Sequence, residues 1–198
     1  MKRIAALVIF TTGLIFGQTH SVTLNWNDTQ TATYNLYKSS GTCLSSPTFS
    51  QLRTGITAKT AVDSTVTTGQ YAYVVTAVVA GAGESPYSNC ADALVPAWAP
   101  TGVTAGSIVN GTVPITWADT QAGTWSVSRS PGACPQVSGW TKLVSGLTAK
   151  TYSDPAVPVG SSCYAVSATL NGVESPLSTG VTVNRATAAP SGLSVVVQ

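Results

Sequence analysis

Apolar and polar residues alternate along much of the chain, which is the pattern of β-strands with one buried face. In residues 21–26, for example, Val22, Leu24 and Trp26 are apolar and the residues between them are polar. The longest alternating run covers residues 71–77. Turn-forming residues interrupt these runs about every ten residues, and no helical period follows the N-terminal segment. The pattern therefore predicts an all-β fold built as antiparallel sandwiches.

The sequence contains this pattern twice, as an internal repeat. The segment Trp26-Asn27-Asp28-Thr29-Gln30 returns as Trp117-Ala118-Asp119-Thr120-Gln121, and the alignment runs on, with one residue lost, to Glu84 and Glu174. Near the C-terminus, Pro190-Ser191-Gly192-Leu193 matches Pro100-Thr101-Gly102-Val103. Self-similarity at a fixed period indicates tandem domains. We predict two sandwiches, residues 18–95 (domain 1) and 96–185 (domain 2), and interpret residues 186–198 as the first strand of a third repeat with no domain behind it.

The first 17 residues follow a different pattern, typical of a secretory signal peptide. Lys2-Arg3 precedes an apolar run from Ile4 to Phe16, which is shorter than the roughly 20 residues that a membrane-spanning helix needs. That length disfavours the alternative, an uncleaved N-terminal anchor. Because the run directly precedes the strand at residues 21–26, the first repeat has no counterpart of residues 100–105. We therefore expect domain 1 to lack its first strand, and the protein to be secreted or held at the extracellular surface.

The composition of the chain indicates which classes of binding partner to expect. Charged residues make up 8% of the chain, the net charge is +2, and the nine Lys and Arg residues are scattered. A nucleic-acid binder needs clustered cations to neutralise phosphates. We therefore expect no nucleic-acid partner, and no membrane contact beyond the N-terminal segment.

Candidate catalytic chemistry is sparse. The chain has one histidine, His20, and neither a phosphate-binding glycine motif nor paired Cys and His residues at metal-ligand spacing. The carboxylates occur at equivalent places in both repeats: Asp28 with Asp119, Asp63 with Asp154, and Glu84 with Glu174. A carboxylate kept in both copies is more simply a turn former or hydrogen-bond acceptor than half of an acid/base pair. We predict a protein that is not an enzyme and has no cofactor, metal or catalytic residue.

The strands resemble the fibronectin type III family, in the form found in secreted bacterial and phage proteins, over residues 20–183. The segments that carry the resemblance are Ser21-Val22-Thr23-Leu24-Asn25-Trp26 (strand B), Tyr34-Asn35-Leu36-Tyr37-Lys38 (strand C), Tyr71-Ala72-Tyr73-Val74-Val75-Thr76-Ala77-Val78 (strand F) and Glu84-Ser85-Pro86-Tyr87-Ser88-Asn89 (entering strand G). The resemblance implies a seven-stranded sandwich of two sheets, with Trp26 and Trp117 buried. It also implies a tyrosine corner at Tyr71, where the second repeat has Ser162.

The four cysteines fit an oxidising compartment, in which small exported domains are often disulfide-bonded. Strands C and F are neighbours in the family, so the resemblance predicts a bridge between Cys134 and Cys163. Cys43 is the repeat equivalent of Cys134, but Cys90 lies at a different place in its repeat from Cys163. Cys43 and Cys90 could therefore pair with each other, stay free, or pair between molecules.

Features shared by both copies serve the fold, whereas unshared ones are free to serve function. Trp98, which matches Ala188, is one such feature. It either packs in the joint between the domains or forms an exposed aromatic contact for a sugar or protein. Trp140 matches Phe49 and is interpreted as a packing position.

Two functions from different classes remain. The first is a non-catalytic extracellular module that acts as a spacer or display module, or binds a protein or glycan. The alternative is a fragment of a longer secreted glycan-degrading hydrolase or phage tail protein whose active part lies elsewhere.

The two chain ends suggest a further partner, a second copy of the chain. An uncovered strand edge in domain 1 offers unpaired N–H and C=O groups. Residues 190–198 are rich in β-branched residues and carry no charge, so they could add to that edge in another molecule, head to tail. The alternative is that residues 186–198 are a frayed remnant and the edge is merely solvated.

Overall fold

The structure is a computed structural model that describes residues 4–9, 20–187 and 194–195. The chain divides into two compact units, Met1–Ala97 with Asn171–Val173 and Trp98–Leu170 with Glu174–Gln198. The predicted signal cleavage site and most of residues 186–198 lie outside the described residues.

Domain 1 is a sandwich of two antiparallel sheets. One sheet has the order β1-β2-β5, and the other has the order β4-β3-β6, with β7 and β8 both paired to β6. The strands are β1 (Ile4–Ile9), β2 (His20–Trp26), β3 (Thr33–Ser40), β4 (Ser50–Ile56), β5 (Thr60–Val66), β6 (Gly69–Val79), β7 (Gly83–Glu84) and β8 (Ala91–Val95).

The core of domain 1 lies where the period-2 pattern places it. Val22 and Leu24 on β2 are fully buried, and Leu36 and Tyr73 meet them from the opposite sheet. Trp26 packs edge-on against Tyr34, with 5.3 Å between the ring centroids. Each fully buried large apolar side chain contributes roughly 1.5–3 kcal/mol. The predicted burial of Trp26 is confirmed.

The expectation that domain 1 lacks a first strand stays a prediction for a chain without residues 1–17, because in the full chain part of the predicted signal segment forms β1. β1 pairs antiparallel with β2, from Ile4 opposite Trp26 to Ile9 opposite Ser21. An apolar run suits an edge strand as well as a signal segment, and an open β2 edge favours pairing with the nearest such run. At the offset of the repeats Leu14 corresponds to Ala105, but it is Ala6 that lies opposite Leu24, as Ala105 lies opposite Ile115 in domain 2.

Domain 2 repeats the same topology. One sheet has the order β9-β10-β13, and the other has the order β12-β11-β14, with β15 and β16 both paired to β14. The strands are β9 (Thr101–Ala105), β10 (Val113–Ala118), β11 (Thr124–Pro131), β12 (Thr141–Leu147), β13 (Thr151–Asp154), β14 (Gly160–Leu170), β15 (Val173–Glu174) and β16 (Val181–Arg185). Val113, Ile115 and Val127 are fully buried, and Trp117 is 6% exposed.

Both repeats contain the segment Glu-Ser-Pro-x-Ser, and its two serines have a structural role. In domain 1 the Ser85 hydroxyl accepts the N–H of Ala77, and the Ser88 hydroxyl accepts the N–H of Val75, at 2.9 and 3.0 Å. Ser175 and Ser178 bind Ala168 and Val166 in the same way in domain 2. The hydroxyls thus satisfy buried backbone donors beside a proline-containing segment that is not a regular strand.

The tyrosine corner is present in domain 1. The Tyr71 hydroxyl donates to the carbonyl of Thr67 at 3.1 Å and accepts the Thr67 N–H at 3.2 Å. In domain 2, Ser162 occupies this position and is buried. The two copies therefore close this corner differently.

Each domain contains one disulfide bridge. Cys134 and Cys163 lie 5.1 Å apart between Cα atoms, which confirms the predicted bridge, and Cys43 and Cys90 lie 5.8 Å apart. The open question of Cys43 and Cys90 is thus settled as a bridge within domain 1. In domain 2, Gly180 aligns with Cys90, and a Cβ atom there would lie only 2.7 Å from the sulfur of Cys163. The two domains therefore bridge the equivalent first cysteine to different places, the segment before β8 in domain 1 and strand β14 in domain 2.

Candidate functional site

Each domain has a buried polar cluster on its core face. In domain 1 the Asp63 carboxylate accepts the Tyr73 hydroxyl at 2.8 Å and pairs with the Lys38 ammonium at 2.9 Å. Asp63 also accepts the N–H and hydroxyl of Thr65. Burial raises the pKa of Asp63, but the hydrogen bonds from Lys38, Thr65 and Tyr73 outweigh it and hold the pKa below its ordinary value.

Domain 2 keeps the same cluster with a different cation. The Asp154 carboxylate accepts the Tyr164 hydroxyl at 2.7 Å and pairs with Arg129 at 2.6 Å. Burial and the hydrogen bond to Asp154 raise the pKa of Tyr164 to about 12. Since every member is satisfied by its neighbours and both copies have the cluster, it serves the fold.

Glu84 and Glu174 are the last residues of β7 and β15, and both accept hydrogen bonds from neighbouring side chains. Glu84 accepts hydrogen bonds from Thr76, Tyr37 and Asn35, which lower its pKa. Glu174 pairs with Lys142 and accepts the Ser167 hydroxyl, and these contacts likewise lower its pKa. The carboxylates are thus ionised acceptors, as the repeat alignment predicts.

Asp28 and Asp119 shape the turn that follows the first core strand. Each accepts the backbone N–H of the glutamine two residues on, Gln30 at 3.3 Å and Gln121 at 2.9 Å. Asp119 also accepts the indole N–H of Trp125 at 2.8 Å. This is the Asx-turn role expected of a repeated turn aspartate.

An aromatic patch, defined by Tyr37, Phe49 and Tyr87, distinguishes domain 1. The Tyr87 ring lies 5.1 Å from that of Tyr37 and 5.6 Å from that of Phe49, edge-on in both contacts. Tyr87 is 52% exposed. Domain 2 has Ser128 and Leu177 at the positions of Tyr37 and Tyr87. Because the two copies differ here, the aromatic patch is one of the unshared features that are free to serve function. We did not predict it from the sequence.

Tyr87 lines two recesses. One is an apolar cleft of about 450 Å³, lined also by Trp26, Asp28, Tyr34 and Pro86 among others. The other is a more open recess of about 480 Å³, lined also by Tyr37 and Glu84. Aromatic faces beside fixed polar groups are the common chemistry of binding sites.

The remaining candidate residues have defined places. Trp98 is half-buried at the start of domain 2, and its backbone N–H and C=O both bond to Gln121. Its role as an exposed aromatic contact stays a prediction. His20 is buried on β2, and burial lowers its pKa. Asp92 lies close to Cys43 and Cys90, but both sulfurs are in the disulfide. Within the described residues, no helix is long and apolar enough to cross a membrane.

Two antiparallel sandwiches with three strands in one sheet and the paired hairpin strands in the other define a tandem of fibronectin type III-like folds. The chain is similar to the "two fibronectin type-III domain segment from chicken tenascin", with a TM-score of 0.59, 14% identity, and coverage of 91% of this chain and 97% of that one. It is also similar to the FN1-FN3 domains of chicken CNTN1, with a TM-score of 0.38, 14% identity, and coverage of 84% and 60%.

At this identity the likeness to the tenascin segment shows the fold alone. No family model matches the sequence. No curated protein matches it either. The function must therefore be argued from the residues themselves.

Proposed function

We propose that the protein is an exported, non-catalytic module of the bacterial or phage secreted kind, which binds an extracellular protein or glycan through the aromatic patch of domain 1. The patch carries the proposal, because it is the part of the described surface where large aromatic rings cluster and where the second copy differs. Tyr87 offers one half-exposed ring, and Phe49 and Tyr37 hold it edge-on. A rigid aromatic platform contributes contact area at low entropic cost.

Export is supported by the two disulfides and by the basic and apolar start of the sequence. The non-catalytic role is supported by the carboxylates. Asp63, Asp154, Glu84 and Glu174 each accept hydrogen bonds from neighbouring side chains. A repeated and fully engaged carboxylate is suited to holding the fold.

A glycan and protein array probed with the exported protein tests the proposal. The matched variant is Tyr87→Leu, which installs the residue that domain 2 carries at this position, Leu177. We expect a specific ligand whose affinity falls about tenfold or more in Tyr87→Leu, since aromatic hot spots contribute roughly 2 kcal/mol or more. Leu94→Ala, an exposed apolar site on β8, is the control. A ligand whose binding is equal in all three proteins would contradict the role of the patch.

A further inference from the structure

The two domains have the same glutamate, but its surroundings differ. In domain 2 the Lys142 ammonium lies 2.7 and 3.0 Å from the two carboxylate oxygens of Glu174, so both oxygens are paired with a cation. The Ser167 hydroxyl donates to the same carboxylate at 2.6 Å. Lys142 lies opposite Ser128 where β12 pairs with β11. Domain 2 thus shows which group this carboxylate binds when one is within reach.

Domain 1 has the carboxylate without the cation. Glu84 is the repeat equivalent of Glu174, and the equivalent of Lys142 is Gln51, which lies opposite Tyr37 where β4 pairs with β3. Gln51 is exposed, and its side chain makes no hydrogen bond within the described part of the chain. Glu84 has no ion pair among the described residues. A neutral amide therefore stands in domain 1 where domain 2 has an ammonium.

The Glu84 carboxylate is fixed in place and ionised. Its Oε1 atom serves the fold: it accepts hydrogen bonds from Tyr37 at 2.6 Å, from Asn35 at 3.0 Å and from Thr76, and these bonds lower the pKa of Glu84. Its Oε2 atom accepts no hydrogen bond within the described residues. The lysine and arginine side chains between residues 20 and 95 bind other acceptors: Lys38 binds Asp63, Arg53 binds the Val62 carbonyl and Lys59 binds the Asp28 carbonyl. Described residues of domain 1 thus supply no cation for Oε2.

Aromatic rings lie beside this carboxylate in domain 1 and not in domain 2. Tyr37, Tyr87 and Glu84 together line the open recess of about 480 Å³. Domain 2 has Ser128 and Leu177 in place of the two tyrosines. The face of an aromatic ring attracts a cation. The recess therefore combines two features that favour a positively charged ligand, a carboxylate and the rings.

The same chemistry already holds a lysine elsewhere in domain 1. The Lys38 ammonium lies 2.9 Å from Asp63 and 4.5 Å from the centroid of the Tyr71 ring. A primary ammonium thus fits between a carboxylate and a tyrosine ring in this fold. At Glu84 the carboxylate and the rings are present, and the ammonium has to come from another molecule.

We propose that the recess lined by Glu84, Tyr37 and Tyr87 binds the side chain of a lysine presented by a partner protein. The inference rests on the proposed function and deepens it, because it names the partner as a protein and names the group that it inserts. Charge complementarity favours a cation, and the pairing of Lys142 with Glu174 favours lysine. The ammonium would donate to Glu84 Oε2, and the aliphatic stem would pack against the tyrosine rings. A neutral sugar would cover the carboxylate without supplying a counter-charge.

Chromatography of the full chain on immobilised lysine tests the recess before any partner is known. Lysine amide is coupled through its α-amine, so that the side-chain ammonium stays free. The reference column carries Nε-acetyl-lysine amide, which has the same stem and no charge. We expect retention on the lysine column in excess of the reference. Glu84→Gln should reduce this excess about five- to tenfold, and Tyr87→Leu about two- to fivefold.

The repeat supplies matched control variants. Gln51→Lys installs the domain 2 residue and should abolish the excess retention, because its own ammonium then pairs with Glu84. Gln70→Lys adds the same charge at an exposed position of β6 and should be retained like the wild type. Glu174→Gln removes the same charge as Glu84→Gln, but from a carboxylate that Lys142 already occupies, so retention should not change.

Three column results would overturn the inference. The first is equal retention of the wild type on the lysine and reference columns. The second is an equal loss of retention in Gln51→Lys and Gln70→Lys, which would reflect net charge alone. The third is stronger retention on immobilised arginine amide than on lysine amide, which would refute the choice of lysine.

The array experiment separates this inference from the proposed function. An array ligand that loses affinity in Tyr87→Leu, but binds Glu84→Gln and Gln51→Lys as tightly as the wild type, would support the aromatic patch and refute the lysine. A neutral glycan as the specific ligand of the patch would refute it too. Excess retention on lysine that Glu84→Gln abolishes, with no array ligand sensitive to Tyr87→Leu, would support the recess and contradict the role of the patch.

Discussion

The buried cluster around Asp63 provides the sharpest test of how domain 1 is stabilised. Tyr73→Phe removes one hydroxyl and leaves the ring in place. That hydroxyl lies 2.8 Å from Asp63 Oδ2, and the two residues are 0% and 2% exposed. A hydrogen bond to a charged group contributes about 1.5–3 kcal/mol. For a domain of this size, such a loss lowers the melting temperature by roughly 10 °C or more.

The same variant has a predicted pH dependence. The folded-state pKa of Asp63 lies below the ordinary value of 3.8, so its ion pair contributes stability above that pH and loses it as the pH falls through the folded-state pKa. The Tyr73 hydroxyl is one of the groups that lower this pKa. We therefore expect the stability gap between wild type and Tyr73→Phe to be full at pH 7 and to shrink below about pH 4.

Urea unfolding followed by hydrogen exchange mass spectrometry measures this gap domain by domain. The matched control is Tyr34→Phe, a residue that is 2% exposed and whose hydroxyl makes no hydrogen bond within the described part of the chain. It should change the free energy of unfolding by less than about 0.5 kcal/mol. Equal losses in the two variants, or a Tyr73→Phe gap that does not change with pH, would refute the reasoning.

Three other predictions concern the bridges and the serine contacts. Replacing Cys43 and Cys90 together by Ser should lower the free energy of unfolding by about 3–4 kcal/mol, measured by urea unfolding under matched non-reducing conditions, since the bridge spans a sequence separation of 47 residues. Gly180→Ala should cost roughly 1–3 kcal/mol, because the added Cβ would lie 2.7 Å from the Cys163 sulfur; an unchanged melting temperature would contradict this close packing. Ser88→Ala should leave the Val75 N–H without its acceptor and speed its hydrogen exchange about tenfold, and exchange at the wild-type rate would show that the hydroxyl is not the acceptor that protects it.

Local patterns in the sequence suffice to predict the buried face of a strand and the repeated order of strands. The alternation at residues 21–26 predicts the burial of Val22, Leu24 and Trp26, which are 0%, 0% and 4% exposed. The repeat predicts that domain 2 has the same order of strands, and it does. Both predictions depend on residues that are neighbours along the chain, and strand periodicity is a property of such neighbours.

The features that the sequence did not predict have a common cause. Residues 4–9 suit a signal segment and a strand equally well, and only the open edge of β2 decides that they pair in this chain. The aromatic patch gave no local signal, because its three rings come from β3, the segment before β4 and the segment after β7. The spacing of the cysteines likewise did not reveal that domain 1 bridges Cys43 to the segment before β8.

The sequence by itself thus determined the tandem repeat, the all-β class and the residues of each core, because these follow from periodicity along the chain. Only the tertiary structure decided that Asp63 meets Lys38 and Tyr73, and that Gln121 binds the backbone of Trp98. Those contacts join residues far apart in sequence or in different environments. Their formation depends on strand register and on which edge is covered, and the alternation of a single strand carries no information about either.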